Sequence, residues 1–253
     1  MRVGLQPMEV IIASRRDETI GEVVQRDING LLDDRGVGPS TDGALRQSVV
    51  SAISTLFGAS LLNSAYVDNK QNMIDPTALI EIFTLSAQSP VKPAKSAIAL
   101  RNAAPYQFPT TYDDVRDALI SASEYVISRT GVHRATVSRI ARRAGVSVGA
   151  IYGLYENKDA LVADCLEVLF PPQSRRDVDE WIPVFTATDQ RAVVTQILAN
   201  YMSPSFAQWR TFRLESIVAA RHSPDIAAQL ATYTFAARRT LMAAAEKAPP
   251  GAT

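Results

Sequence analysis

Thr136-Val-Ser-Arg-Ile-Ala-Arg-Arg-Ala-Gly-Val-Ser-Val-Gly-Ala-Ile-Tyr-Gly-Leu-Tyr-Glu-Asn-Lys-Asp-Ala-Leu161 is the stretch on which the fold turns. Thr136 stands where a helix N-cap is needed, and Val137 to Ala144 carries apolar residues at Val137, Ile140, Ala141 and Ala144, the spacing of one helical face. Gly145 follows where the chain must turn sharply, because only glycine reaches positive φ without steric cost. Ser147 caps the next helix, expected through Tyr155, and Asn157 caps a further one from Lys158 to about Phe170. Ala141 is small where two helices cross, and Ile151 fills the gap between them, with Ile140, Ala144, Val146 and Leu154 supplying the remaining apolar contacts. Capped helix, glycine turn, capped helix is the layout of a helix-turn-helix.

Upstream, Val115, Ala118, Leu119, Ala122, Tyr125 and Val126 form an apolar stripe at helical spacing, and Gly131 ends that helix. Between Tyr125 and Tyr155 there is no Asp or Glu, while Arg129, Arg134, Arg139, Arg142 and Arg143 all lie there. A run of arginines can be a solvated helix face, and Arg142 and Arg143 fit that reading. An acid-free segment around a helix-turn-helix is better explained by attraction to phosphates. The whole chain has 26 Lys plus Arg against 26 Asp plus Glu, so its balance is zero. That total does not weigh against nucleic acid, since charge distribution matters rather than the sum.

These residues resemble the DNA-binding region of TetR/AcrR-type transcriptional regulators from Asp113 to Glu167: the capped helix, Ile-Ala-x-x-Ala-Gly-Val-Ser, a Gly, a Tyr, an aromatic, then Asn-Lys-x-x-Leu. The resemblance implies that Thr136 and Ser147 bind phosphates at helix N-termini. It implies that Tyr152 reaches a phosphate or base edge and that Lys158 clamps a phosphate. Arg134 and Arg139 join this set, and Val148, Ala150 and Gly153 face the major groove. Val148 and Gly153 depart from the family, which commonly has a polar residue at the first position and His or Tyr at the second. Glu156 adds an acid nearby. Base readout would then lean on apolar contacts to thymine methyls. For Tyr155, packing in the core is the expected role.

The resemblance further implies a homodimer on a near-palindromic double-stranded operator, and a small hydrophobic effector bound in a helical C-terminal domain. Trp181, Met202, Phe206 and Trp209 are the expected effector-lining residues, although such aromatics at helical spacing are more often core. No cofactor is expected. One cysteine, Cys165, on an apolar helix face reads as a buried thiol and points to a reducing, cytoplasmic setting. Two histidines, His133 and His222, each lack a neighbouring ligand set, so no metal is assigned. No nucleophile is paired with a base and no Gly-rich phosphate loop occurs, so an enzyme is not expected.

The rest of the chain also reads as helix, giving an all-α fold with helical segments on both sides of the DNA-binding head. Residues 29–42 read as a loop. Residues 47–67 form an uncharged helix whose serines and Asn63 argue for burial over membrane insertion. A helix is also expected from Pro76 to Gln88. Pro90, Pro93, Pro105 and Pro109 make 89–111 a linker. The expected domains are therefore 1–88, resembling the C-terminal part of a TetR-type ligand domain; the linker 89–111; the head, 112–170; and an incomplete ligand domain, 171–253.

The first of these rests on a repeat. Met8–Arg16 aligns without a gap with Leu214–His222, and in both copies a helix break and a new helix start follow, at Asp17 and at Ser223-Pro224. Ile20 and Ile226 then hold the same place. The chain accordingly reads as part of a longer tandem regulator, or as a permuted one in which 25–88 completes the domain begun at 171. A different class of function also stays open, a helical dimerisation or small-molecule-binding module with a vestigial head.

Overall fold

The computed structural model describes residues 6–34, 36–38, 106, 108–181 and 203–246. Among these residues there are helices and connections but no strand, so the fold is all-α. The chain divides into two compact units, Met1–Lys95 and Ser96–Thr253. The expected helices at 47–67 and 76–88 and most of the linker lie outside the described residues.

In the first unit, α1 (Gln6–Ala13) and α2 (Glu18–Asp33) form a helical hairpin. Asp17 caps α2, its carboxylate accepting from the Ile20 amide at 3.1 Å. The loop expected from residue 29 begins later, because α2 runs on through Gly30 to Asp33. Leu32 and Val37 are both buried, and the Val37 amide bonds the Leu32 carbonyl across the turn that Gly36 makes at φ 70°. Burial of Leu32 outweighs the local turn signals of the Asn29-Gly30 pair.

The second unit is built around α3 (Asp114–Arg134), against which α4 (Val137–Ala144), α6 (Lys158–Trp181) and α7 (Ala207–Ala220) pack. The short α5 (Val148–Leu154) packs on α4, and α8 (Pro224–Glu246) packs on α6 and α7. With neighbours on several sides, α3 buries more than a stripe. Leu119, Ile120, Ala122, Val126 and Ile127 are buried, and so are Ser123 and Glu124. Three members of the expected stripe differ, Ala118 being half-buried. Val115 is 43% exposed in the first turn, ahead of the packed region, and Tyr125 is half-buried. At Gly131 (φ 76°, ψ 159°) the helix breaks as expected, but one more turn, Val132–Arg134, follows the break.

The fourth helix of the expected set does not stop near Phe170. It continues through Pro171 and Pro172 to Trp181, so the boundary expected at 170 falls within one helix. Packing overrides the local breaker here. Leu161, Val162, Leu166 and Leu169 are fully buried, and Phe170 sits among Trp209, Phe212 and Tyr233 with ring centroids at 5.8, 6.5 and 6.3 Å. The end of the linker also joins this core. Tyr106 packs edge-on against Phe206 at 5.5 Å, and Thr110 and Thr111 hydrogen-bond Asp117. Burial works against charge at Asp117, but these bonds hold its carboxyl below the ordinary range.

The repeat has a counterpart in the backbone. The hairpins α1–α2 and α7–α8 break with the same four hydrogen bonds. Arg15 to Ile12, Arg16 to Ala13, Asp17 to Ala13 and Gly21 to Asp17 in one match Arg221 to Val218, His222 to Ala219, Ser223 to Ala219 and Ala227 to Ser223 in the other. Every donor and acceptor follows the sequence alignment without a shift.

Candidate nucleic-acid interface

Three caps and one glycine shape the head. Thr136 Oγ1 accepts from the Arg139 amide at 3.3 Å, Ser147 Oγ from the Ala150 amide at 3.0 Å, and Asn157 Oδ1 from the Ala160 amide at 2.9 Å. Gly145 lies in the left-handed region (φ 74°, ψ 21°), and its amide and that of Val146 both bond the Ala141 carbonyl. Ala141 and Ile151 are buried where α4 and α5 meet, and Ile140 is buried beside them. Ala144 and Val146 are half-buried. Leu154 departs from its expected place in the core. It lies on the same side as Ile151 by helical period, but α5 ends there and the side chain is 53% exposed.

Apart from Ile151 and Ala150, α5 is exposed. Val148 and Tyr152, one turn apart, are 38% and 55% exposed, and Gly149 and Gly153 are exposed beside them. Ala150 is half-buried. A Cβ placed on Gly153 would meet nothing within 4 Å, so packing does not demand glycine there. The hydroxyls of Thr136 and Ser147, both exposed residues, accept from backbone amides and so keep their protons to donate outward. Lys158 is half-buried and its Nζ donates to the Val132 carbonyl at 2.8 Å, which satisfies the turn after Gly131 and leaves two N–H bonds.

The arginines divide into two sets. Arg143 and Arg129 lie over the Tyr125 ring, with guanidinium carbons 3.9 and 5.0 Å from its centroid. Arg129 lies on α3 with Tyr125, so it is the Arg143 contact that joins α4 to α3. Arg134, Arg139 and Arg142 are exposed around the caps of α4 and α5. All five arginines of the acid-free stretch are exposed, two of them also stacked over Tyr125.

Two residues of consequence were not among those expected from sequence, Arg116 and Asp164. Arg116 Nε donates to Asp164 Oδ2 at 2.9 Å and Nη2 bonds Oδ1, while Tyr155 Oη donates to Oδ2 at 2.6 Å. Burial works against charge on Asp164, but the hydrogen bonds from Arg116 and Tyr155 hold its carboxyl below the ordinary range. Burial, then the bond to Asp164, pushes the Tyr155 phenol up. Tyr155 is half-buried, a packing residue with a hydrogen-bonded tip. An acid nine residues after an aromatic has no local signature, so sequence offered no cue.

Of the residues expected to line an effector site, Phe206 and Trp209 are buried within the aromatic cluster that joins α6, α7 and Tyr106. Trp209 Nε1 also donates to the Leu169 carbonyl at 3.4 Å. Met202 and the side chain of Trp181 lie outside the described residues. Cys165 is fully buried and its thiol is pushed up by that burial. Among the described residues no cluster of His, Cys, Asp and Glu could hold a metal, and no helix is long and apolar enough to cross a membrane.

A capped helix, a glycine turn and a second capped helix with one open face, set on α3 and α6, define a helix-turn-helix DNA-binding head. The family model for bacterial regulatory proteins of the tetR family matches residues 119–165, the span from mid-α3 through α6 to Cys165. Residues 119–165 are thus similar to the DNA-binding domain of the TetR family of transcriptional regulators. Among curated proteins and among solved structures, none matches.

Proposed function

We propose that the chain is a ligand-responsive repressor that binds a near-palindromic operator as a homodimer in the cytoplasm. The observation that carries this reading is the open face of α5. Tyr152 and Val148 project from it, flanked by the donor hydroxyls of Thr136 and Ser147, inside the segment that matches the TetR family. In this reading α5 enters the major groove. Val148, Ala150 and Tyr152 contact base edges and methyls, and Gly153 lets the backbone approach. Arg134, Arg139, Thr136, Ser147 and the remaining N–H bonds of Lys158 hold phosphates. Two such heads on a two-fold axis would read two half-sites about one helical turn apart or a multiple of it. A small apolar effector held by the helices C-terminal to the head would act by preferring one spacing of the heads over another.

The matched hairpins support a tandem organisation, with 1–88 and 171–253 as two copies of one kind of helical domain and 112–170 as the head between them. In a permuted single domain, by contrast, the two hairpins would not be copies of each other.

Selection of bound duplexes from a random pool, followed by binding at several salt concentrations, tests the function. Log K should fall linearly with log salt. Lys158→Ala should weaken cognate and unrelated DNA alike and flatten that slope by about one phosphate. Tyr152→Ala should cost about tenfold or more on the selected operator. Unchanged binding by both variants would remove the residue assignment. A second reading, a helical binding module with a vestigial head, draws on the fact that α5 is seven residues long and carries no charged side chain. It predicts that no sequence is enriched from the pool.

A further inference from the structure

We propose that Asp164 is the positioning residue of the recognition helix: its carboxylate ties Tyr155, which closes α5, to Arg116 on the first turn of α3, and so sets the angle at which α5 meets DNA. This inference rests on the DNA-binding reading above.

The argument starts from how little else holds α5. A helix of seven residues has no stability of its own, and its pose comes from its contacts. Its one buried side chain among the described residues is Ile151. One buried anchor fixes a point on the helix and leaves rotation about that point free. The N-terminal end is held by the Gly145–Val146 turn onto α4. The C-terminal end is held by the hydrogen bond from Tyr155 Oη to Asp164 Oδ2, 2.6 Å long.

Arg116 turns that bond into a fixed post. Its two bonds to Asp164 use both carboxylate oxygens and hold the carboxylate plane, so Oδ2 is presented to Tyr155 in one direction. The side chains of Asp164 and Arg116 are 14% and 35% exposed, which limits competition from water. Three elements converge here: the start of α3, the C-cap of α5 and the second turn of α6. The open edge of Asp164 faces a groove of about 630 Å³ that it shares with Asp225, Ala228 and Gln229 of α8. The post therefore stands where the head meets the C-terminal helix, and a shift of α8 would be felt at Asp164.

The test uses the full chain as wild type, Tyr155→Phe, Arg116→Gln and the double variant, read by amide hydrogen exchange and by affinity for the selected operator. Tyr155→Phe keeps the ring and removes only the hydroxyl. Exchange of the Ile151–Tyr155 amides should accelerate about tenfold, the scale of one charge-assisted hydrogen bond. The operator dissociation constant should rise about three- to tenfold, while binding to unrelated DNA and the salt slope stay as in wild type, because no phosphate contact is lost. The double variant should lose less than the product of the single losses, since both act through Asp164. Wild-type exchange in Tyr155→Phe overturns the proposal. Accelerated exchange with unchanged operator affinity overturns it too, because Asp164 would then brace the helix without setting its contact with DNA. A wild-type chain that selects no DNA overturns the DNA-binding reading instead, and the exchange data still decide whether Asp164 positions α5.

Discussion

Glu124 is a carboxylate with almost no access to water, 1% exposed between α3 and α7 beside Tyr106 and Gln208, with Oε1 lacking a hydrogen-bond partner. Burial pushes its pKa up from 4.5 to about 7, against the pull of its hydrogen bonds. The native state therefore holds this proton more tightly than the unfolded chain does. Its contribution to stability is fully present below about pH 4.5, declines as pH rises, and is gone above about pH 7, an effect of about 3 kcal/mol. Asp117 and Asp164, with lowered values, have their own dependence below this window and do not mask it. Urea midpoints between pH 4.5 and 7.5 should fall with pH in the wild type and stay flatter in Glu124→Gln, which keeps the shape and loses the ionisation. Equal slopes in the two proteins would show that Glu124 does not titrate in that range.

Glycines make the helix-turn-helix, and the two that matter behave oppositely. Gly145 sits at φ 74°, where an L side chain is strained, so Gly145→Ala should destabilise the protein by about 1–2 kcal/mol in denaturant unfolding. Gly153 lies within α5 with open space around it, so Gly153→Ala should stabilise by about 0.5–1 kcal/mol. If Gly153 serves close approach to DNA, the same alanine should weaken operator binding while raising the unfolding midpoint. Parallel changes in both would mean the position is merely unoptimised. The contrast also shows what sequence could and could not disclose. Caps and turns act within four residues, so Thr136, Gly145, Ser147 and Asn157 were legible, and with them the boundaries of α4 and the start of α5. Features decided by distant partners were not. Pro171-Pro172 reads as a helix end until the aromatic cluster around Phe170 is seen to carry α6 past it. Arg143 stays at the surface as read, but its stacking over Tyr125 has no sequence signal, and Asp164 is silent until Arg116, 48 residues away, arrives at its side.

Within the head, charges of opposite sign are segregated. Arg134, Arg139 and Arg142 lie exposed near the caps, Arg129 and Arg143 are engaged with Tyr125, and acids line the groove toward α8 instead. The division into Met1–Lys95 and Ser96–Thr253 carries a thermodynamic consequence. Units with separate cores should unfold separately, and a lesion in one core should leave the other's transition in place. Phe212 is fully buried against Phe170 in the second unit, so Phe212→Ala should cost about 3–5 kcal/mol. In a unit of this size each kcal/mol moves Tm by about 2–4 °C, giving a drop of about 10 °C. Calorimetry should show that drop in one transition and none in the other. Ile12→Ala, at a 6% exposed position in α1, should do the reverse with a smaller shift. If either variant instead moves a single transition for the whole chain, the two units fold as one body, and the matched hairpins α1–α2 and α7–α8 belong to one cooperative core.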